Sequence, residues 1–329
     1  MKVLFVTSSH QDNLQDAYLH GLRLMFGDQL IDYPKKDVMY KGFQMRDDNS
    51  YYGRMFTLWR ILDDISVDRS NIVKRVKENY FDLVVFGSIR HTEFFLKYFD
   101  QWLDPKKVIL MDGDDDNRVL PWARKYLYFK RELTNGATYY YTRKIVPKKL
   151  TGKIQYHPNV LPVTFAIPEE KIAKGIARKD KSRMFPPHIV DSELVQHPEF
   201  RKYVKEGPQE TPVFTEEADY YQSLKESQFG ITVKRAGWDC LRHYEIAANG
   251  AVMCFRALST KPPHCAPLGI DDSNAVIYDS ADELLRTVEN MKDDEYERYL
   301  QGGYRWVQTQ TTENKAKDLL DRAMEQWRK

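Results

Sequence analysis

The sequence predicts an α/β fold made of two doubly wound parallel-sheet halves in tandem. Three observations carry this. Short, continuously apolar runs recur along the chain, as strands buried on both faces require. Each run ends in small, polar or glycine residues, and helix-like stretches separate one run from the next. At 329 residues the chain has room for two domains of ordinary size.

The elements follow in order. Lys2 to Ser9 opens with the apolar run Val3 to Val6 and turns polar, and a helix is expected from about Gln15 to Phe26. A helical stretch at Ser70 to Asn79 precedes a second strand, Phe81 to Ser88, which is followed by the polar run Ile89 to Glu93. A third strand, Val108 to Met111, ends in Asp112-Gly-Asp-Asp-Asp116. From 143 to 183 the texture changes: eleven Lys/Arg stand against three Asp/Glu, with four prolines, which reads as the end of the first half and a linker. No assignment is made for 185–212. The alternation then resumes with a helix at Tyr220 to Ser227, a strand at Phe229 to Val233, and a helix at Cys240 to Asn249 that Gly250 terminates. Strands at Ala251 to Phe255 and Asn274 to Tyr278 come next, and Ser280 with Glu283 forms a capping box opening the helix Asp282 to Met291. A last helix is expected from about Thr312 to Trp327.

Composition removes several classes of function. Apolar residues at 42% and charged residues at 30% exclude wholesale disorder. Three cysteines, Cys240, Cys254 and Cys265, suit neither a disulfide framework nor a zinc knuckle, and point to a reducing compartment. No apolar run approaches the ~18 residues of a membrane span, and the opening MKVLFVTSSHQDN lacks a secretory layout. A soluble, cytoplasmic protein without integral membrane contact is expected. There is no G-x-x-x-x-G-K-S/T and no G-x-G-x-x-G, so NTP hydrolysis and dinucleotide redox lose their usual signatures.

The most informative segment is FGITVKRAGWDCLRHYEIAANGA, Phe229 to Ala251. A strand ends in a loop holding Lys234, Arg235, Gly237, Trp238 and Asp239, and a helix follows with Arg242 and Glu245 on one face. Free N–H groups at such a junction suit a phosphate, with Lys234, Arg235 and Arg242 as cationic donors. Glu245, one turn in, offers acceptors to sugar or ribose hydroxyls. The same residues also fit a plain surface loop with an Arg–Glu pair at helical spacing.

Tyr220 to Leu285 resembles the C-terminal nucleotide-sugar-binding domain of GT-B-fold glycosyltransferases. It is most similar to the bacterial and phage family 1-like group related to CgeB-type spore-maturation proteins. The resemblance rests on Tyr221 to Ser227, Gly237-Trp-Asp239, Arg242-His-Tyr-Glu245, Ala247-Ala-Asn-Gly250 and Tyr278 to Leu284. Asn249-Gly250 replaces the commoner small-Gly pair, and Ala251 stands where many members have proline. The resemblance implies two Rossmann-like domains facing a central cleft. The acceptor domain would be 1–165 and the donor domain 166–310, with 311–329 a helix crossing back to the first. It implies donor contacts from Lys234, Arg235, Gly237, Trp238, Arg242 and Glu245, the last on ribose or sugar.

Other constellations take their meaning from that frame. The run Asp112 to Asp116 fits an EF-hand at its first, third and fifth positions, but Asn117 stands at the sixth and Ala123 at the twelfth, so calcium fails. An Asp-x-Asp metal site of the GT-A type, an acidic turn, and a cleft carboxylate that deprotonates an acceptor all remain open. His91 after the second strand, and His10 with Asp12 after the first, lie where an interdomain cleft would be lined, although lone histidines are also ordinary loop residues. Tyr51-Tyr52 and Tyr139 to Tyr141 receive no role, and Cys240 reads as structural.

The expectation is a metal-independent transferase without a cofactor. It would move a sugar from a nucleoside-diphosphate donor to a hydroxyl, with Asp114, His91, His10 or Asp12 as base. The favoured acceptor is a saccharide of a surface polymer. A DNA acceptor bearing hydroxymethylated bases is the variant, because 143–183 is net +8 and the remainder net −6; Lys148 and Lys149 would then follow phosphates. From another class, the chain would be a non-catalytic nucleotide-sugar-binding partner.

Overall fold

Ten α-helices and eleven strands are seen in the computed structural model, which describes residues 1–44, 56–134, 138–139, 158–203 and 214–329. The N-terminal half contributes β1 (Val3–Val6), α1 (Asn13–Phe26), β2 (Leu30–Tyr33), α2 (Ile72–Lys77), β3 (Leu83–Phe86), α3 (Ile89–Phe99), β4 (Val108–Asp112), β5 (Arg118–Val119), β6 (Leu127–Lys130), β7 (Thr138–Tyr139) and β8 (Val160–Pro162). The C-terminal half holds α4 (Ser192–Gln196), α5 (Pro198–Arg201), α6 (Glu217–Glu226), β9 (Phe229–Thr232), α7 (Leu241–Ala248), β10 (Val252–Arg256), β11 (Ala275–Tyr278), α8 (Ala281–Glu289), α9 (Asp293–Gln308) and α10 (Thr312–Arg328).

The large sheet has the order β2-β1-β3-β4-β6-β8, and the second has the order β11-β10-β9. Both are parallel throughout. Strand alternation explains the layers. Val3 and Phe5 face one core while Leu4 and Val6 face another, and in β10 Met253 and Phe255 oppose Val252 and Cys254 in the same way. The core under Val3 and Phe5 is continuous with that under Met253 and Phe255, through Phe165, Tyr244 and Trp306, so the two halves share one apolar core. Every strand of the large sheet ends at one edge, which collects the loops after β1, β3, β4 and β6. The order reverses between β1 and β3, a topological switch point.

Local signals behave as their chemistry dictates. Asp12 caps α1, accepting from the amides of Leu14 and Gln15. Ser280 accepts from the Glu283 amide at 3.3 Å, while the Glu283 carboxylate reaches Asp279 N rather than Ser280 N. Gly250 adopts φ +68°, a left-handed turn that ends α7 and feeds β10. The last helix lies along α1: His20 Nδ1 is 2.8 Å from Thr312 Oγ1, and Arg322 donates to the Pro162 carbonyl at 2.9 Å.

Several elements differ from the sequence expectation. Ile89 to Glu93 is not a polar turn but the start of α3, whose buried face is Ile89, Thr92, Leu96 and Phe99. The strands β2, β6 and β8 escape the sequence reading, two of them because they carry ionisable residues. Asp32 is buried but bonded to Arg23 and Arg69, and Lys130 is buried against Asp112, so pairing lets charges enter strands. Gly302-Gly303 hides α9, since a glycine pair lowers helix propensity. Of the unassigned 185–212 segment, the described residues 185–203 contribute two short helices and bury Phe185, Leu194 and Phe200, and 204–212 lie outside the described residues.

Candidate active site

The switch point gathers four ionisable groups. His10, from the loop after β1, stacks on His91, from the first turn of α3, with ring centroids 3.9 Å apart. The Nδ1 of His91 lies 3.0 Å from Ser88 Oγ. Burial and then the neighbouring His10 lower the basicity of His91, against the opposing pull of Asp114, Asp12 and Asp112. Asp114 is half-buried, and burial followed by repulsion from Asp112 raises its pKa. Its only ion-pair contact among the described residues is Arg90 Nε at 3.5 Å. Beside this group, Ser8 Oγ and Asn13 Oδ1 are buried without a hydrogen-bond partner among the described residues.

The other carboxylates of the acidic run are committed. Asp112 is fully buried and receives Arg90, Lys130 and Tyr128; burial opposes its charge, yet Lys130 and Arg90 hold its carboxyl below the usual range. Asp116 takes Arg90 and Arg118, and Asp115 takes Arg131. Four cations thus neutralise the run.

The C-terminal half presents the 234–242 loop and the start of α7. Lys234 and Arg235 are exposed. Cys240, at the N-cap, gives no side-chain cap to α7, and its carbonyl accepts from the His243 amide at 3.2 Å. His188, from the segment before α4, stands near this loop. Burial, then Arg242 and Arg235, push its pKa down to about 4, which leaves a neutral imidazole among cations at neutral pH. Trp238, named with this loop as a donor contact, is buried and packs toward Phe255. His243 is fully buried, bonded to Thr232 Oγ1 and the Trp238 carbonyl at 2.8 Å each, and neutral because burial lowers its pKa to about 4.

Arg131 joins the two edges. Its guanidinium, 1% exposed, donates to the Gly113 carbonyl at 3.0 Å, the Asp239 carbonyl at 2.7 Å, Glu132 Oε1 at 2.9 Å and Asp115. Glu132 Oε1 in turn accepts from the amides of Trp238 and Asp239 at 2.9 and 3.2 Å. Asp239 accepts from the Phe165 amide at 2.8 Å and Tyr244 hydroxyl at 3.0 Å, and burial raises it to about 6 despite Arg131. Gly237 is required here, because a Cβ would sit 2.6 Å from both Asp115 Oδ1 and Glu132 Oε1. The peptide before Asp114 and the turn into α7 are therefore both hydrogen-bonded to one guanidinium.

Glu245 is buried, and both its oxygens are engaged. One accepts from Thr57 Oγ1, the other from the Tyr220 hydroxyl at 2.9 Å. Burial raises its pKa against those two hydrogen bonds. The structure thus brings together His10, Asp12, His91 and Asp114 on one side, and Lys234, Arg235, Gly237 and Arg242 on the other. Glu245 lies one helical turn beyond Arg242. Lys148 and Lys149, with Tyr51-Tyr52 and Tyr140-Tyr141, lie outside the described residues. Arg131, Glu132, Thr57 and His188 went unread. Lys130-Arg131-Glu132, three charges directly after an apolar run, was the available signal for the first two.

Solved glycosyltransferases share this fold at low sequence identity. One from Rickettsia africae superposes with TM-score 0.55 at 8% identity, over 98% of this chain and 98% of its own. HepE of Anabaena in complex with UDP gives 0.56 at 9%, covering 99% and 100%. The same enzyme with UDP and glucose gives 0.54 at 8%, again over 99% and 100%. No protein-family model matches the sequence, and no curated protein matches it. The chain has the fold of these glycosyltransferases.

Proposed function

We propose that the protein is a glycosyltransferase of the two-domain GT-B arrangement, related to the CgeB-type group. It would transfer a sugar from a nucleoside diphosphate to a hydroxyl of a saccharide. The observation that carries this is the juxtaposition made by Arg131: an acid–base group at the switch point of one sheet is tied to a cationic, uncapped helix start from the other. The HepE structures hold UDP and glucose on the same fold, which supports a nucleotide-sugar donor.

The chemistry needs two things. As the bond from the sugar's anomeric carbon to the leaving phosphate oxygen breaks, its electron pair stays on the diphosphate. Lys234, Arg235, Arg242, His188 N–H and the α7 amides stabilise that charge, which grows toward the transition state. The acceptor oxygen attacks the anomeric carbon and must lose its proton. With His91 Nδ1–H donating to Ser88 Oγ, Nε2 carries the lone pair that takes it; Asp114 or His10 would relay it onward, and Asp12 holds the α1 end of the site. Four cations already on the acidic run favour a reaction without metal, and no cofactor is invoked.

The test is a thermal-shift screen of UDP-, GDP-, ADP- and CMP-sugars, followed by donor hydrolysis and transfer to saccharides. Stabilisation by one donor with turnover is expected. Binding without turnover on any acceptor would make the chain a nucleotide-sugar-binding partner. Absence of binding to every donor would end the reading.

A further inference from the structure

Thr57 belongs to the N-terminal half, yet its side-chain and amide hydrogen bonds among the described residues are with the C-terminal half. Its amide donates to Glu217 Oε1 at 2.6 Å, and its Oγ1 lies 2.6 Å from the Tyr221 hydroxyl. The same Oγ1 donates to Glu245 Oε1. Beside it, Phe56 stacks on Tyr220, the residue that holds the other Glu245 oxygen. Thr57 is 1% exposed.

The backbone there is strained. Thr57 has φ +81° and Arg60 has φ +59°. A β-branched residue avoids the left-handed region, because its side chain crowds the adjoining carbonyl. Such an outlier persists only where surrounding contacts over-determine it, and it marks functional positions more often than ordinary turns. Here the contacts are the bonds to Glu217, Tyr221 and Glu245. A buried carboxylate needs donors, and an aliphatic hydroxyl is the same chemical group that a ribose or hexose would offer it.

Resting on the donor-site reading of Glu245, we infer that Thr57 is a positioning residue that occupies this carboxylate until a donor hydroxyl takes its place. Donor binding and the Thr57 contact are then mutually exclusive. The measured donor affinity is lowered by the fraction of molecules in which Thr57 is seated. Displacing Thr57 frees the 56–60 turn from its left-handed conformation, and it removes one hydrogen-bonded link between the halves as the donor enters. The incoming hydroxyl comes either from the ribose or from the transferred sugar, and the two sources are separable by experiment.

The experiment is calorimetric titration of wild type, Thr57→Gly, Thr57→Ser and Glu245→Ala. The probes are UDP, GDP, ADP and CDP, then the glucose ester of whichever binds best. Glycine accepts φ +81° without strain, so Thr57→Gly should keep the wild-type melting temperature or exceed it. Thr57→Gly is expected to bind at least threefold more tightly than wild type, with Thr57→Ser returning to the wild-type value. A gain already present with the free diphosphate, and absent with its 2′,3′-dideoxy form, assigns the exchange to ribose. A gain confined to the glucose ester assigns it to the sugar. A purely structural Thr57 predicts the opposite sign: weaker binding and a lower melting temperature in Thr57→Gly. Equal or weaker binding by Thr57→Gly, with Glu245→Ala clearly impaired, overturns the exchange while leaving the donor site standing. If Glu245→Ala binds as wild type does, or no protein binds any probe, the donor-site reading fails and takes the exchange with it.

Discussion

The switch-point group and the Arg131 knot adjoin each other and are built on opposite principles. His10, Asp12, His91 and Asp114 are half-buried or exposed, and the nearby Ser8 and Asn13 oxygens are left unpartnered among the described residues. Arg131, Glu132 and Asp239 are 1 to 3% exposed, and their charges meet donors and acceptors from three different loops. The difference separates two tasks. Groups that exchange protons with a substrate must keep capacity to spare, whereas groups that hold two halves in register must be saturated, since an unpaired buried charge is costly.

That contrast is broken most severely at Arg131. Arg131→Met leaves Glu132 buried without its guanidinium and removes the link between the Gly113 and Asp239 carbonyls. Removing one partner of a buried pair costs about 3–5 kcal/mol. At roughly 2–4 °C per kcal/mol for a domain of this size, the melting temperature should fall by about 10 °C. A shift below about 2 °C in thermal denaturation would show that the knot does not hold the halves.

His91 should respond in the other way. His91→Asn is expected to leave the melting temperature within about 1 °C but to lower kcat/KM by ~100-fold or more, the usual scale of a lost general base. The pH dependence carries the sign. A base works unprotonated, so activity is lost as pH falls through its pKa. Burial and His10 hold His91 below an ordinary imidazole. The rate should therefore stay flat through pH 7 to 8 and fall only below about 6.5. A wild-type acid limb above pH 7 would exclude His91.

How much of this was legible in the sequence follows the same division. The switch-point residues could be read because each sits at the end of an apolar run, and a strand's end is a local property: His10 and Asp12 after Val3–Val6, His91 after Leu83–Phe86. The cationic loop after β9 was legible for the same reason, and Glu245 through its place one helical turn beyond Arg242. The knot was not, because Arg131 and Asp239 are 108 residues apart and neither has a local partner that announces the other. Thr57 was invisible for a further reason, since its meaning lies in a carboxylate 188 residues away and in a backbone angle that sequence does not state. Trp238 reads as a donor contact from its place in the cationic loop, and its burial against Phe255 is a long-range fact that the loop sequence does not state.

Glu245 lies between the two kinds: it is buried and satisfied, but by the hydroxyls of Thr57 and Tyr220 rather than by a fixed cation. Glu245→Ala should weaken donor binding about tenfold, given that a hydrogen bond to a charged group is worth roughly 1.5–3 kcal/mol and part of that is returned by losing the Thr57 contact. Calorimetry decides it. Equal affinity in variant and wild type would place Glu245 with the purely structural residues of the Arg131 knot.

The smallest expected effect is that of chelation, and it tests whether the acidic run belongs with the saturated or the open groups. Asp112, Asp115 and Asp116 are each paired with arginine or lysine, and only Asp114 has a long ionic contact, 3.5 Å to Arg90. A divalent ion would have to displace several of these cations to gain two carboxylates, and the hard oxygen sites of magnesium and calcium use more ligands than that. On the proposed donor reading, Arg235 and Arg242 would already give the diphosphate fixed positive charge. EDTA should therefore lower the transfer rate by less than about threefold, a loss of under 0.7 kcal/mol of transition-state stabilisation. Collapse of activity with EDTA and its return with manganese would mean that the pairs around Arg90 open in the working enzyme. The acidic run would then be a metal site, and Asp114 would be a ligand rather than a carrier of the acceptor's proton.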